Sequence, residues 1–301
     1  MLRGHGCIAM GDEYGDGRRV STNDAYLEPA RERTNLTILG DSLVDRVEFV
    51  GSRVTGVRVR TRTGWTSVRG RVVVLCAGAI HSPAILMRSG IGQADALRAI
   101  GITTLYDAPG VGQNLGEHAS TTVEVRLRPE AWASSVNVRP IRCLVRNSSR
   151  LAGAGRNDMQ IYSINPPGID GGACGRGGVR ASVMQTFSKG SVRLTTSDPT
   201  VDPEVDFRLL SDRRDLVRLR DEVQRLFELA RHPAIASITE RVRVGKAGQA
   251  IADFRDDAGI DAWLTGRVYR LRACGRHLPY GGDGRSAGGR RSGMSGARGG
   301  S

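Results

Sequence analysis

Aromatic residues and long apolar runs are both scarce in this 301-residue sequence. Phe, Trp and Tyr together make up 5% of it, and no apolar run approaches the roughly 20 residues that a membrane-spanning helix requires. The first ten residues also lack the apolar segment of a secretory signal peptide. We therefore expect no membrane span and a protein of the cytoplasm.

Cysteine is sparse and irregularly spaced. The five cysteines stand alone at Cys7, Cys76, Cys143, Cys174 and Cys274, and no two form a Cys-x-x-Cys pair. Disulfide-rich secreted domains and structural zinc sites both depend on closely and regularly spaced cysteines. The sequence therefore predicts neither class, and it predicts no metal site.

Lysine is almost absent, although the net charge is +13. Lys189 and Lys246 are the only lysines, and every other basic side chain is arginine. Residues 271–301 hold six arginines and one acid, Asp283, and they alone supply +5. The remaining charge forms no sustained basic stripe of the kind that marks a nucleic-acid interface. A compositional bias towards arginine explains the charge, and we expect no specific nucleic-acid partner.

The first third of the chain contains the patterns of a hairpin, a buried strand and a helix. Residues from Val44 to Val50 and from Val54 to Arg62 alternate around a Gly-Ser turn, which predicts a β-hairpin. Val72 to Leu75 is a continuous apolar run that favours a strand buried on both faces. Ser82 and Pro83 suit the first turn of a helix that ends at Gly90.

The rest of the chain is predicted to mix antiparallel strands with helices. Five segments carry these patterns: a strand from Thr121 to Leu127, strands from Ser182 to Phe187 and from Ser191 to Thr195 joined at Lys189-Gly190, a helix from Asp212 to Arg231 with apolar residues three and four apart, and a helix beginning at Asp261. Residues 147–180 are rich in Gly, Asn, Pro and Ser and carry no readable pattern. The Gly- and Arg-rich composition beyond about residue 268 is typical of a disordered tail.

The most informative segment runs from Val73 through Ala77, Gly78 and Ala79 to Pro83. It predicts a strand, a turn of small residues and a helix. Small residues allow a backbone to approach a flat ligand closely, and a helix N-terminus favours phosphate. A tight strand–helix turn of any α/β protein satisfies the same pattern, so the residues alone leave both interpretations open.

The residues of this segment, however, resemble the second signature of the glucose–methanol–choline (GMC) oxidoreductase family. The signature reads A-G-A-I-x-S-P followed by S-G-I-G, and other family motifs follow in the same order. The matching segments are Arg19-Val20-Ser21 with Tyr26-Leu27-Glu28-Pro29-Ala30, Asn35-Leu36-Thr37-Ile38, Pro109-Gly110-Val111-Gly112-Gln113-Asn114-Leu115, Gly190-Ser191-Val192-Arg193-Leu194 and Asp198-Pro199. Their order and spacing extend the resemblance over roughly residues 15–265.

The resemblance implies an α/β fold in two parts. Residues 1–117 would be a partial FAD-binding domain, and residues 118–255 a substrate-binding domain of α+β type built on an antiparallel sheet. Residues 256–268 would begin the return to the FAD domain. The implied activity is FAD-dependent oxidation of a small-molecule alcohol to an aldehyde or ketone. The family's FAD contacts fall on Val44, Ala77 and Gly78, mostly through the backbone.

Two family motifs are missing from the sequence. No G-x-G-x-x-G phosphate loop precedes residue 19, and no H-x-x-G-T-C-x-M-G motif, which carries the family's catalytic histidine, follows residue 264. Back-translation of the tail with a shift of one base permits H-A-A-G-T-C-R-M-G. We therefore expect a frameshift near residues 266–270, which makes 269–301 a non-native tail and His277 an accident of the wrong frame.

We accordingly predict no catalytic residue in this chain and expect it to be inactive by itself and poorly soluble. His81, His118 and His232 suit structural roles better than catalytic ones, and Cys76 suits a small buried core position. Two alternatives to the enzyme remain: a flavin-free binding or scaffold protein, and an RNA-binding protein that acts through its basic tail. Nothing in the sequence identifies the alcohol.

Overall fold

The computed structural model describes residues 6–9, 20–132, 141, 143–165, 175–244, 251, 254 and 256–270. The strands are β1 Gly6–Ala9, β2 Leu43–Val50, β3 Arg53–Thr61, β4 Gly64–Arg69, β5 Ile91–Gly92, β6 Tyr106–Asp107, β7 Ala119–Leu127, β8 Cys143–Asn147, β9 Met159–Ile164, β10 Arg176–Val183, β11 Ser191–Arg193, β12 Glu204–Asp206, β13 Thr239–Val244 and β14 Tyr269–Arg270. The α-helices are α1 Glu28–Ala30, α2 Gly78–Arg88, α3 Ala94–Ala99, α4 Arg213–Arg231, α5 Pro233–Ala236 and α6 Asp257–Arg267. No helix among these residues is long and apolar enough to cross a membrane.

Seven strands form one antiparallel sheet. Its order is β1-β8-β9-β10-β7-β13, and β14 also pairs with β7. The register places Val179 opposite Val123, and Ala181 lies between Ile161 and Thr121. Because side chains alternate along a strand, this register gathers the apolar residues of the central strands on one face. That face is covered by helices.

Helix α4 is the main element packed on the apolar face. Asp212 caps it by accepting a 2.9 Å hydrogen bond from the backbone N–H of Arg214. Leu219, Val223 and Leu226 are fully buried at spacings of three and four residues, and each such side chain contributes about 1.5–3 kcal/mol through burial. They join Trp263 and Leu264 of α6 in one core with the strands.

A second, smaller core lies around α2. It is centred on Met87, Leu97, Leu115 and Val192. These residues bring together α2, α3, the loop before β7 and strand β11, which pairs with β12. The hairpin β2–β3, extended by β4, packs on α2 as well.

The structure confirms several predicted elements. The α/β class, the antiparallel sheet with helices, the β2–β3 hairpin and the long helix ending at Arg231 all form. The predicted strand from Thr121 to Leu127 lies within β7, and the helix expected from Asp261 begins earlier, at Asp257. The unreadable segment 147–180 contains β9 and the first part of β10.

Three predicted elements were wrong. Residues 72–75 form no strand, because no described strand lies beside them to complete a ladder. Helix α2 begins at Gly78, one turn before Ser82-Pro83, because Gly78 turns the chain with a φ of +76°. The segments 182–187 and 191–195 do not pair with each other: β10 ends at Val183, and β11 pairs with β12.

The described residues form two cores, and neither tests the predicted boundaries at 117, 255 and 268. Strands β11 and β12 belong to the smaller core around α2, whereas β1 and β14 extend the seven-stranded sheet. The family's two-part division therefore stays a prediction for this chain. The predicted tail, 269–301, lies outside the described residues apart from β14.

Candidate functional site

The turn before α2 is built for close approach by a ligand. Ala77, Gly78 and Ala79 are all exposed, and Gly78 takes the left-handed φ of +76° that glycine adopts without strain. No side chain caps the helix at Ala77. The first backbone N–H groups of α2 are therefore open to an external acceptor, and the helix dipole makes that position favourable for an anion.

The other end of α2 is anchored to β2. The buried Arg88 donates a 2.8 Å hydrogen bond from Nε to the carbonyl oxygen of Asp45, and its Nε lies 3.4 Å from Asp45 Oδ1. Ser89 Oγ accepts a 2.9 Å bond from Val47 N and donates a 2.7 Å bond to Ile85 O. Burial lowers the pKa of the Arg88 guanidinium, and the Asp45 carboxylate opposes that effect. These contacts fix α2 against the hairpin.

Val44 lies beside this anchor on β2. It is half-buried in β2, where it pairs with Val59 and precedes Asp45. Ala77 and Gly78 are consecutive residues of the turn at the start of α2, whereas Val44 belongs to β2, which is anchored to the end of α2. A ligand that contacts all three must touch both the turn and the hairpin.

A cleft opens beside the exposed turn. Its volume is about 230 Å³, which is smaller than the roughly 300–1,000 Å³ of a pocket that encloses a whole ligand. The lining residues come from α2, the loop before β7 and β11: Ala79, Pro83, Gly112, Gln113, Asn114, Leu115, Gly116 and Val192. A cleft of this size accommodates part of a large ligand.

The loop that lines the cleft is held in an unusual backbone conformation. Gly112 has a φ of +79°, and Asn114 has a φ of +60°. A side chain at Gly112 would place Cβ 2.3 Å from Val192 O, while Val192 N donates a 2.7 Å bond to Gly112 O. Leu115 and Gly190 exchange backbone hydrogen bonds of 3.0 and 2.8 Å. Strand β11 therefore determines the shape of this wall of the cleft.

Sequence reasoning did not assign the cleft, although it singled out the Pro-Gly-Val-Gly-Gln-Asn motif. The signal was the pair of glycines at 110 and 112 followed by asparagine, residue types that favour turns and positive φ. The motif alone does not reveal which surface it faces. That surface is provided by α2 and by β11, about 80 residues further along the chain.

The histidines in the described residues do not form a catalytic group. His81 is exposed on α2, and His118 is half-buried just before β7. His232 caps the short helix α5, where its Nδ1 accepts a 3.3 Å bond from Ala234 N. His277 lies outside the described residues. Among the described residues, no three His, Cys, Asp or Glu side chains cluster as metal ligands.

Cys76 contradicts the prediction of a buried core position. Its thiol is exposed, and so are Val72 and Val74, at 79% and 76%. The common reason is that no described element covers residues 72–76. The apolar run that predicted a buried strand is therefore an exposed apolar surface of this chain.

Two family models match the chain, and both are described as GMC oxidoreductase. The N-terminal model matches residues 3–120, and the C-terminal model matches residues 186–269. The first includes the turn at Ala77–Gly78 and the loop that lines the cleft. The second includes β11 and helices α4 and α6.

Curated relatives show the same similarity. The chain is 36% identical over 261 residues to 5-(hydroxymethyl)furfural oxidase from Methylovorus sp. (strain MP688), which covers 83% of this chain and 48% of the relative. It is 32% identical over 282 residues to oxygen-dependent choline dehydrogenase from Ectopseudomonas mendocina (strain ymp), covering 82% of this chain and 48% of the relative. The chain therefore spans about half the length of the curated relatives it matches.

A solved structure agrees with these relatives. Pyridoxine 4-oxidase from Mesorbium loti superposes with a TM-score of 0.72 and 28% sequence identity, over 86% of this chain and 51% of that one. The two family models together match more than half of the chain, and their order follows the order of the sequence motifs. This chain belongs to the GMC oxidoreductase family.

Proposed function

We propose that this chain is part of an FAD-dependent oxidoreductase that converts the CH–OH group of a small-molecule alcohol into an aldehyde or ketone. The observation that carries the proposal is the exposed, uncapped turn at Ala77–Gly78 beside the cleft, within the segment that the family's N-terminal model matches. Family membership does not favour the flavin-free scaffold or the RNA-binding tail.

The residues present fit FAD. The uncapped N-terminus of α2 offers backbone donors to a phosphate, and the small residues Ala77, Gly78 and Ala79 leave room for the close approach. Val44, on the hairpin that is anchored to α2, would contact the adenine end of the same molecule. Most of these contacts would be made by backbone atoms, so we expect side-chain changes that preserve the backbone to have small effects.

The chemistry divides between the cofactor and the protein. Bound FAD supplies the acceptor for the hydride that leaves the alcohol carbon. The described residues supply the wall of the cleft, held by β11, and the anchored helix α2. We assign no catalytic residue, because none of His81, His118 and His232 lies in a group that suits a general base. His118 has a packing or hydrogen-bonding role in this proposal.

The two-part division belongs to the same proposal. We propose that residues 1–117 are a partial FAD-binding domain, 118–255 a substrate-binding domain and 256–268 the return to the first. The exposure of Val72 and Val74 supports a first domain that is only partly present. The names of the relatives, a 5-(hydroxymethyl)furfural oxidase and a choline dehydrogenase, are consistent with an alcohol as donor.

The first experiment measures FAD binding by the purified chain, through quenching of flavin fluorescence and co-elution in gel filtration. We expect FAD to bind, and Gly78→Ala to weaken binding at least several-fold, because alanine strains a backbone at φ +76°. The matched control is Gly40→Ala, where a methyl group meets open space. Absence of binding, or equal weakening in both variants, would contradict the assignment of Ala77 and Gly78.

A second experiment addresses the activity. Anaerobic addition of alcohols to the FAD-loaded chain should leave the flavin absorbance unchanged. In this proposal the chain supplies no base to take the proton of the alcohol, so the flavin is not reduced. Bleaching of the flavin by an alcohol would show that this chain holds the catalytic group. Sequencing of the encoding DNA then tests the expected frameshift near codons 266–270.

A further inference from the structure

Glu222 and Asn147 form a buried polar contact between α4 and β8. Glu222 is 0% exposed and Asn147 is 3% exposed. Asn147 donates a hydrogen bond from Nδ2 to Glu222 Oε1 across the interface between the helix and the sheet. The contact lies away from the cleft, and the proposed FAD chemistry does not use it.

One oxygen of each side chain has no partner. Glu222 Oε2 and Asn147 Oδ1 are both buried, and neither has a hydrogen-bond partner among the residues that the structure describes. An unpaired polar atom in the interior is costly, because it has lost its hydrogen bonds to water. An ionised carboxylate offers no donor, so Oε2 and Oδ1 have no means of satisfying each other in that state.

We propose that Glu222 is a proton-binding site, and that the native fold holds it as a neutral acid whose Oε2–H donates to Asn147 Oδ1. One proton then satisfies both unpaired atoms. Together with the bond from Asn147 Nδ2 to Glu222 Oε1, it closes a ring of two hydrogen bonds between the acid and the amide. The proton thereby completes the contact between α4 and β8.

The charges around Glu222 are consistent with this state. On α4, Arg225 Nε lies 3.7 Å from Glu222 Oε1, but its side chain is one-third exposed and it also binds Asp221 at 2.9 Å. Asp158, just before β9, adds to the negative charge of Asp221 near Glu222. Arg218 does not offset this at Glu222, because it forms its ion pair with Asp158. Burial is the largest effect, and it raises the pKa of Glu222 above its ordinary 4.5.

The proposal determines the direction of a pH effect. A group whose pKa is raised in the folded state binds its proton more tightly there than in the unfolded chain. The contribution of Glu222 to stability is therefore complete below pH 4.5 and is lost as the pH rises through the raised pKa. Above that range, a buried carboxylate would face the unpaired oxygen of Asn147.

The experiment compares urea unfolding of the full chain, Glu222→Gln and Glu228→Gln from pH 4.5 upwards into the alkaline range. Glutamine supplies the missing N–H donor at every pH. We therefore expect the urea midpoint of Glu222→Gln to fall less with rising pH than that of the wild type, and to be the higher of the two at alkaline pH. Glu228 is an exposed glutamate of the same helix, and its variant should follow the wild type. Parallel curves for wild type and Glu222→Gln would overturn the proposal.

Infrared spectroscopy supplies a test that does not depend on stability. The carbonyl stretch of a protonated carboxyl group should persist to higher pH than that of ordinary glutamates in the wild type and Glu228→Gln, and this persistence should be missing in Glu222→Gln. Asn147→Ala should shift that band, because the acid loses its acceptor. A band absent from the wild type, or unaffected by Asn147→Ala, would show that the proton is not held between these two residues.

Discussion

Arg218 of α4 and Asp158, 60 residues earlier in the chain, form an ion pair in the interior. Arg218 Nη1 lies 2.8 Å from Asp158 Oδ2, and the two side chains are 1% and 0% exposed. Arg218 Nη2 also donates to Gln185 O at 2.6 Å and to Asp215 Oδ1 at 2.5 Å. Asp215 in turn accepts hydrogen bonds from the backbone N–H groups of residues 187 and 188. The cluster ties the first turns of α4 to the segment before β9 and the loop after β10, which lie side by side at one end of the sheet.

Replacing Arg218 should destabilise the fold strongly. Arg218→Met leaves two buried carboxylates without their cation, and breaking a buried pair in this way costs about 3–5 kcal/mol. The exposed Arg213→Met, one and a half turns earlier on the same helix, should change the free energy of unfolding by less than about 0.5 kcal/mol. Urea unfolding measures both values, and similar losses in the two variants would contradict a special role for the buried pair.

Asp158 should make the fold sensitive to acid. Burial acts to raise the pKa of Asp158, but hydrogen bonds from Ser149 and Arg218 outweigh it and hold the pKa below 3.8. Ionised Asp158 therefore stabilises the fold above pH 3.8, and this contribution is lost as the pH falls through the lowered value. Ser149→Ala removes a 2.6 Å bond.

We expect Ser149→Ala to move the midpoint of acid unfolding to higher pH. The control is Ser163→Ala, an exposed position on the neighbouring strand β9. Circular dichroism during acid titration follows both variants. Coincident acid transitions for wild type and Ser149→Ala would argue against Asp158 as the group that responds.

The wall of the cleft should tolerate no side chain at Gly112. A Cβ there would lie 2.3 Å from Val192 O, and the φ of +79° adds backbone strain. Gly112→Ala should cost at least about 2 kcal/mol. Gly110→Ala, two residues earlier in the same loop and in open space, should be nearly neutral. Thermal unfolding of the pair distinguishes a local steric limit from a general need for flexibility in the loop.

The exposed apolar run should make this chain self-associate. Val72 and Val74 are 79% and 76% exposed, and unpaired apolar segments favour association. Val72→Thr combined with Val74→Thr should lower light scattering at a given concentration. Val50→Thr changes a lone valine that is 72% exposed at a hairpin turn, and it should have a smaller effect. A monomeric wild-type chain with a cooperative thermal transition would contradict this prediction.

Local patterns predicted the elements that depend on neighbouring residues. The β2–β3 hairpin follows from alternation around Gly51, and α4 follows from apolar residues three and four apart with Asp212 in front. The motif order likewise predicted the family. These signals are local because turns, caps and amphipathic periods are determined within a few residues.

Two of the wrong predictions concern long-range partners. The segment 182–187 resembled one arm of a hairpin, but the N–H groups of Phe187 and Ser188 donate to Asp215, and β10 pairs with β7 and β9 instead. Residues 72–75 have the composition of a buried strand, yet a strand forms only beside a neighbour. Neither outcome is encoded within the segment concerned.

The candidate site likewise combines features that the sequence predicts with contacts that only the folded chain shows. The sequence by itself determined the family, the class of fold, and the small-residue turn at Ala77 and Gly78, because glycine at a positive φ leaves a local signature. Only the tertiary structure decided that Ala79, just after this turn, lines a cleft with Gly112 and Val192. It also decided that β2 is anchored to the end of α2 and that Glu222 meets Asn147. The physical reason is that these contacts join segments far apart in sequence, and packing in three dimensions selects them.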